Sequence, residues 1–382
     1  MDTRAVSSPG SKSSRDRAVS PDGVIRLALN HPPPITDVFN PRIFAALNRV
    51  LVKSPPVELM ATHRWMGTEH DRQQGAIFAG RRLGAIPDPD RVVVTHSTQA
   101  ALHVLLAAIL RNGRSLAVEQ LSYPPIRSFA ARYGIRVVDV AIDGDGLNPD
   151  AFDEICRQER PTALYLLSTY QNPTTVTMSL GRRQRVSEIA RRYQVQLIED
   201  DVYSLLAGSP LPPISSLVPE LSWYLLGTAK SFATGLKLAF VVAPSGAEAA
   251  RAFWPGLRAT DWMASPLSAA LMAELISSGD DLEILAAVKR ELAVRHRLVV
   301  NGLKGRPLAS DPGCLHVWMP MNGLSSSEIA AGLLAHGVQV AVSASYASDG
   351  WTPPEAIRFG IGNPETSSVL EQAISRIRLA LP

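Results

Sequence analysis

Lys230 lies in a turn of small residues between two apolar segments, Trp223 to Leu226 and Leu238 to Ala243. The nearest acidic residues along the chain are Glu220 and Glu248, so the local sequence offers little to neutralise the ammonium group. Burial and a neighbouring cation both lower an ammonium pKa, and a lysine tuned in this way can form a Schiff base with an aldehyde cofactor. Taken alone, the turn favours a solvated loop lysine, because loops usually lie on the surface. The rest of the chain has to decide between these interpretations.

Polar side chains also follow two other apolar segments. The sequence Tyr170 to Thr174 includes Asn172 and Pro173, and Asn-Pro is by itself a common turn dipeptide. The second group is Glu199, Asp200 and Asp201, with Tyr203 shortly after. Three consecutive carboxylates at the end of a buried strand repel one another and require a cationic partner. A protonated heterocyclic nitrogen would be such a partner.

A third arrangement could bind an anion. The segment Arg91 to Thr95 reads as a short strand, and it leads through Ser97 and Thr98 into an apolar helix from Ala100 to Leu110. A strand, a hydroxyl-rich turn and a helix start present N–H groups and a positive dipole end to an anion. The alternative is an ordinary helix that is capped by Ser97 or Thr98.

The elements that position these loops alternate regularly. Strands of four to six apolar residues alternate with helices of about twelve residues, which predicts an α/β domain with a mainly parallel sheet of the seven-stranded type and helices on both faces. The site then lies at the carboxyl ends of the strands. In the smaller elements, the sequence predicts a helix that opens at Asn40 and Pro41 and one strand from Gln339 to Val342.

The regular alternation of strands and helices stops after about residue 250, which predicts several structural units. We expect a disordered tail at 1–23, a segment at 24–60 that packs with a small domain, a large domain at 61–260, a helical connector at 261–300 and a small α+β domain at 301–382.

Composition excludes several classes of protein. The chain has 382 residues, a net charge of +3, 46% hydrophobic and 19% charged residues, which is typical of a soluble globular protein and gives a nucleic-acid role no electrostatic support. The sequence predicts neither a signal peptide nor a membrane span. Cys156 and Cys314 lack metal-ligand spacing, so we expect buried thiols in the cytoplasm and no metal site.

These loops, in this order, resemble the fold-type-I pyridoxal-phosphate enzymes, specifically the class I/II aminotransferase family, over nearly the whole chain from about residue 24. The resemblance implies pyridoxal 5'-phosphate as the cofactor. It places Lys230 as the Schiff-base lysine and Asp200 against the pyridine nitrogen. Tyr203 and Asn172 would bond the phenolic oxygen of the cofactor, and Tyr123 would stack on its ring.

The same resemblance implies where the phosphate and the substrate bind. Thr98 and Gln99 match the helix start that cradles the phosphate, and Ser97 stands beside them where the family has glycine. Thr228 and Lys237 match the hydroxyl and basic contacts to the phosphate. Arg358 falls where the family holds the substrate carboxylate by a two-point contact.

Several positions depart from the family pattern. Lys237 replaces an arginine, Thr234 a proline, Ala239 a glycine, and Thr175 the glycine after Asn-Pro-Thr. The tyrosine that a neighbouring subunit usually sends to the phosphate would fall near Thr62, where it is absent. We therefore predict a divergent member, with specialised biosynthesis as a hypothesis.

The sequence leaves the reaction open. An aminotransferase that uses an amino acid and a keto acid is the first interpretation, and a lyase that performs β-elimination or decarboxylation-coupled deamination shares the same residues. A third is a cofactor-sensing regulator domain; we expect it least, because about two dozen residues ahead of the first strand are too few for a DNA-binding module. The resemblance also implies a homodimer, with residues near Trp65 and Trp262 reaching across, and His31, Trp65, Tyr346 and Trp351 are candidates to line the substrate pocket.

Overall fold

The computed structural model describes residues 23–110, 113–260 and 263–381. The strands are β1 Ile25–Arg26, β2 Val92–Thr95, β3 Ser115–Glu119, β4 Arg136–Val140, β5 Ile142–Asp143, β6 Gly146–Leu147, β7 Ala163–Leu166, β8 Gln196–Asp200, β9 Ser222–Gly227, β10 Ala239–Val242, β11 His316–Pro320, β12 Val338–Gln339, β13 Ala341–Val342 and β14 Ala356–Gly360. The helices are α1 Thr36–Lys53, α2 Pro56–Ala61, α3 Glu69–Leu83, α4 Thr98–Ile109, α5 Pro125–Arg132, α6 Pro149–Glu159, α7 Leu180–Tyr193, α8 Ile214–Leu217, α9 Gly246–Ala259, α10 Pro266–Ser278, α11 Asp280–Gly302, α12 Ser326–Ala335 and α13 Ser367–Ala380.

A seven-stranded sheet in the order β2-β10-β9-β8-β7-β3-β4 forms the centre of the chain. β10 runs antiparallel to both of its neighbours, and the other pairs are parallel. Alternate residues of β7 pack on opposite faces of the sheet. Leu164 and Leu166 pack with α6 and α7, whereas Ala163 and Tyr165 belong to the core on the other face. Because both faces are covered, these strands are almost wholly apolar. The predicted fold class is confirmed.

The carboxyl-terminal part forms a smaller antiparallel sheet in the order β11-β14-β13. The amino-terminal segment pairs with the same part of the chain in a separate two-stranded sheet, in which β1 runs parallel to β12 and Ile25 lies opposite Val338. α1 packs against α10 and α11. No helix among the described residues is both long and apolar enough to cross a membrane.

Two predicted elements differ from the structure, and two helices were not predicted. α1 begins at Thr36 rather than Asn40, so Pro41 lies inside the helix, where packing against α10 and α11 outweighs its missing donor. The strand predicted from Gln339 to Val342 is two short strands, because β12 pairs with β1 while β13 pairs with β14. The sequence analysis also missed α2 and α9. The predicted tail, except Gly23, and Trp262 lie outside the described residues.

Candidate active site

A cavity of about 230 Å³ opens at the carboxyl ends of the parallel strands. The loops that follow β2, β3, β7, β8 and β9 converge there, as expected for an α/β sheet. Nine of the eleven predicted site residues line it: Ser97, Thr98, Tyr123, Asn172, Asp200, Tyr203, Lys230, Lys237 and Arg358. Gln99 and Thr228 are not lining residues.

Strand alternation separates the three carboxylates at the end of β8. Glu199 accepts hydrogen bonds from the main-chain N–H groups of Ile214 and Ser215, at 3.0 and 2.7 Å. Asp201 lies 3.3 Å from Nε of Arg82, which is also buried. Of the three carboxylates, Asp200 alone lines the cavity, so it is the one that faces the site.

Asp200 has one oxygen bonded and one without a partner. The hydroxyl of Tyr165 donates to its Oδ2 at 2.9 Å, whereas Oδ1 is buried and has no hydrogen-bond partner among the described residues. The pKa of Asp200 is raised to about 7, chiefly by burial and also by the charge of Asp201, against the lowering effects of Tyr165 and Lys230. An adjacent cation would stabilise the ionised form.

Lys230 lies in the turn after β9, and its hydrogen-bond partner is 200 residues away along the chain. Its Nζ donates to the main-chain oxygen of Asn30 at 2.6 Å. The pKa of Lys230 is lowered to about 8, chiefly by burial and also by the positive charge of Arg358, while Asp200 opposes both effects. A substantial fraction of the amine is therefore neutral and nucleophilic near neutral pH.

Arg358 is surrounded by hydrogen-bond acceptors. Nη1 donates to Oδ1 of Asn172 at 3.3 Å and to the hydroxyl of Tyr346 at 2.6 Å. Nη2 donates to the main-chain oxygen of Ala28 at 3.2 Å and to Oδ1 of Asn30 at 2.5 Å. Nε is buried and lacks a partner within the described part of the chain. The guanidinium group is therefore fixed in the wall of the cavity.

Asn30 connects several of these groups. Besides its contacts to Lys230 and Arg358, its Nδ2 donates to the hydroxyl of Tyr203 at 3.2 Å and to Nδ1 of His316 at 3.0 Å. His316 is fully buried, and burial holds its pKa well below the ordinary value, so the ring is neutral. Sequence reasoning missed Asn30, because no motif marks it and its partners are distant along the chain.

The start of α4 faces the cavity as predicted for an anion site. Ser97 caps this helix, since its Oγ accepts from the main-chain N–H of Ala100 at 3.1 Å, and Thr98 is the first helical residue. Gln99 contributes indirectly: its Nε2 donates to the hydroxyl of Tyr123 at 2.7 Å. Gly227 lies beside this helix start, where a Cβ would approach Cγ2 of Thr98 to 2.9 Å.

The two remaining predicted phosphate contacts differ. Lys237 lines the same cavity as the start of α4. Thr228 is fully buried, and its hydroxyl lies against the main-chain oxygens of Leu236 and Leu238, the latter at 3.0 Å. In this structure Thr228 therefore closes the turn that carries Lys230, and its role toward a phosphate stays a prediction.

Of the four other residues that were expected to line a substrate pocket, Tyr346 and Trp351 pack in one apolar cluster, and His31 and Trp65 lie elsewhere. His31 lines a second cavity, of about 530 Å³, which shares Leu29 with the first. Trp65 stacks on His63 and contacts Trp254.

Thr175, at the position where the family has glycine, adopts a φ of 66°, a conformation that strains a β-branched residue.

Comparison with known proteins agrees with this geometry. The family model for aminotransferase class I and II matches residues 63–377. A Thermus thermophilus 2-aminoadipate transaminase is 30% identical over 250 residues, which is 62% of this chain and 62% of that protein. A Bacillus subtilis protein named as the uncharacterized HTH-type transcriptional regulator YdeF is 29% identical over 81% of this chain and 67% of its own length. This chain thus spans about two thirds of the length of these relatives.

Solved structures share the fold. The α-aminoadipate aminotransferase LysN from Thermus thermophilus, complexed with N-(5'-phosphopyridoxyl)-L-leucine, superposes with a TM-score of 0.81 at 23% identity, over 97% of this chain and 95% of that one. Kynurenine aminotransferase from Pyrococcus horikoshii gives a TM-score of 0.83 at 19% identity, over 94% and 90% of the two chains.

The fold and the cavity together define the fold-type-I class of pyridoxal-phosphate proteins. Within that class, the chain belongs to the class I and II aminotransferase family. The resemblance predicted from the loop residues is confirmed.

Proposed function

We propose that the chain is a pyridoxal-phosphate-dependent aminotransferase that moves an amino group between an amino acid and a keto acid. The observation that carries the proposal is the convergence of Lys230 and Asp200 on one cavity, each with a pKa shifted toward neutrality. Family membership and the transaminase relative support the same function.

The residues of the cavity fit the cofactor. Oδ1 of Asp200 is a buried acceptor without a partner among the described residues, and a protonated ring nitrogen would satisfy it. The start of α4 and Lys237 provide N–H groups and a positive charge for a phosphate. Tyr123 lines the cavity with its hydroxyl fixed by Gln99, which leaves its ring to stack.

The cofactor, when bound, supplies an electron sink for the bond that breaks at the substrate α-carbon. Asp200 would keep the ring nitrogen protonated. Lys230 would hold the cofactor and, once the substrate amine has replaced it, carry a proton on Nζ to and from the α-carbon. Arg358 would bind the substrate carboxylate and orient the amino acid.

The cavity lined by His31 shares Leu29 with the first cavity, and we propose that it receives the substrate side chain. Its walls include Leu29, Ile35, Phe39 and Phe232. Burial lowers the pKa of His31, with Lys230 adding to the effect, so its ring is neutral. These features favour amino acids with large apolar side chains.

A single-turnover experiment tests the proposed reaction. The holoenzyme is mixed with an amino acid in the absence of a keto acid. An aminotransferase converts its cofactor once to the amine form and stops until a keto acid is added, whereas a lyase continues to release product. Continued release would replace the proposal with the lyase alternative.

A second candidate function follows from the regulator relatives. YdeF and the Salmonella typhimurium protein named as the vitamin B6 salvage pathway transcriptional repressor PtsJ match 81% and 73% of this chain. The corresponding proposal is a cofactor-sensing domain that binds pyridoxal phosphate without turnover. Cofactor binding with no amino transfer from any of the twenty common amino acids would favour this function over the first.

We also propose a cytoplasmic homodimer. Large apolar side chains are exposed on α1 and α2, among them Phe44, Val52, Val57 and Met60. Burying such a patch against a second copy is favourable. The buried free thiols Cys156 and Cys314 suit a reducing compartment. Sedimentation that gives a fully active monomer would contradict the dimer.

The division of the chain into units stays a proposal. The pairing of β1 with β12 supports grouping residues 24–60 with 301–382, around a large domain at 61–260 and a connector at 261–300. Limited proteolysis that cuts first near residues 60, 260 and 300 would support these boundaries.

A further inference from the structure

Asn30 occupies an acceptor position on the guanidinium group that is expected to bind the substrate. A two-point contact needs two N–H groups on one edge, and in arginine Nε and Nη2 form such an edge. In Arg358, Nε has no partner among the described residues, while Nη2 donates to Ala28 and Asn30. Among the described residues, Nε on this edge of Arg358 is therefore available to a ligand, and Nη2 is already hydrogen-bonded.

The two acceptors on Nη2 differ in mobility. The oxygen of Ala28 belongs to the main chain just after β1, so it cannot move without the backbone. Oδ1 of Asn30 belongs to a side chain that lines the cavity, and rotation about its side-chain bonds would release Nη2. Asn30 is thus the contact that a ligand can replace.

The orientation of the Asn30 amide follows from its neighbours. Arginine can only donate, so the amide oxygen must face Arg358. The amide nitrogen then donates to Tyr203 and to His316, whose Nε2 lies 3.3 Å from the main-chain oxygen of Gln171. A protonated Nε2 toward that oxygen leaves Nδ1 as the acceptor for Asn30. The neutral ring therefore holds the amide in the orientation that blocks Nη2.

We propose that Asn30 is a positioning residue that closes the carboxylate site until a ligand carboxylate displaces its Oδ1 from Arg358. The proposal rests on the proposed role of Arg358 in substrate binding. Because the carboxylate replaces a neutral acceptor, both partners of the new contact are charged, and the contact is stronger. Closure keeps Nη2 of Arg358 hydrogen-bonded when the site holds no carboxylate.

The test measures equilibrium binding of two probes to the holoenzyme by calorimetry. 3-Phenylpropanoate has a carboxylate and no amine, and 2-phenylethylamine has an amine and no carboxylate. Asn30→Ala removes the competing acceptor and should bind 3-phenylpropanoate about tenfold more tightly, equivalent to about 1.4 kcal/mol, with 2-phenylethylamine unchanged. Asn30→Asp places a carboxylate on Arg358 and should weaken 3-phenylpropanoate binding at least tenfold.

The exposed Asn301 on α11 provides a matched control, because Asn301→Ala makes the same chemical change away from the cavity. Weaker binding of 3-phenylpropanoate to Asn30→Ala would overturn the proposal, since Asn30 would then help to bind the carboxylate. Equal changes for both probes would also overturn it, because a structural defect does not distinguish them. Neither readout needs turnover, so a failure of the proposed aminotransferase activity would be seen separately.

Discussion

The lowered pKa of Lys230 predicts how the rate of cofactor capture depends on pH. Only the neutral amine attacks an aldehyde. With a pKa of about 8, roughly a quarter of the Lys230 amines are neutral at pH 7.5, compared with about one in a thousand for a lysine at the ordinary value of 10.5. The second-order rate of cofactor binding to the apoprotein should therefore rise with pH and level off above about pH 9.

The causes of the shift predict how substitutions move this midpoint. Burial is the largest cause, followed by the positive charge of Arg358, while Asp200 acts in the opposite direction. Arg358→Met removes the neighbouring cation, so the midpoint should move to higher pH. Asp200→Asn removes the neighbouring anion, so it should move to lower pH.

Stopped-flow absorbance of pyridoxal phosphate binding between pH 6 and pH 10 measures these midpoints. The exposed Arg290 on α11 gives a control, because Arg290→Met removes an equal charge from a position that does not line the cavity. A midpoint near 10.5 in the parent protein would refute the reasoning. So would a midpoint that Arg358→Met leaves in place, because charge repulsion would then contribute nothing.

Three further predictions concern groups around the cavity. Glu119 is fully buried, and burial raises its pKa to about 8. Because the folded state holds this proton more tightly than the unfolded state, the free energy of unfolding falls as pH increases from about 4.5 to 8. The loss is up to about 1.4 kcal/mol per pH unit. The glutamine in Glu119→Gln does not titrate, so the melting temperature of the variant should increase relative to that of the parent as pH rises from 5 to 8. A difference between the two melting temperatures that does not change with pH would contradict this. Lys237→Ala should weaken cofactor retention about tenfold in equilibrium dialysis and reduce its salt dependence, with unchanged retention as the contrary result. Gly227→Ala should lower the free energy of unfolding by about 1–3 kcal/mol in chemical denaturation, because the added Cβ would lie 2.9 Å from Cγ2 of Thr98. Stability equal to that of the parent would show that the start of α4 can move to accept the Cβ.

Much of the large domain could be predicted from sequence because its signals are local. The apolar strands and the helices between them follow from hydrophobic periodicity, and α3 ends at Gly84 in the left-handed conformation that favours glycine. The start of α9 also carries a local signal, because Ser245 accepts a hydrogen bond from the main-chain N–H of Glu248, three residues on. Pro255 within that helix obscured it.

The site was predictable where a family motif marks the residue and not where tertiary packing decides. The sequence showed three adjacent carboxylates, and it could not show that Arg82 from α3 neutralises Asp201 while Asp200 faces the cavity. Likewise Tyr165 reads as an ordinary strand residue, and its bond to Asp200 depends on how β7 and β8 pair. Asn30 meets its partners only when β1 joins the carboxyl-terminal sheets.

The most direct test of the account asks which lysine holds the cofactor. Borohydride reduction of the holoprotein makes the bond between lysine and cofactor permanent, and peptide mass spectrometry then locates the added mass. The account predicts the phosphopyridoxyl group on Lys230, and its loss together with the characteristic absorbance in Lys230→Ala, while Lys237→Ala keeps both. Modification of Lys237 with Lys230 unmodified, or an unchanged spectrum for Lys230→Ala, would contradict the central claim.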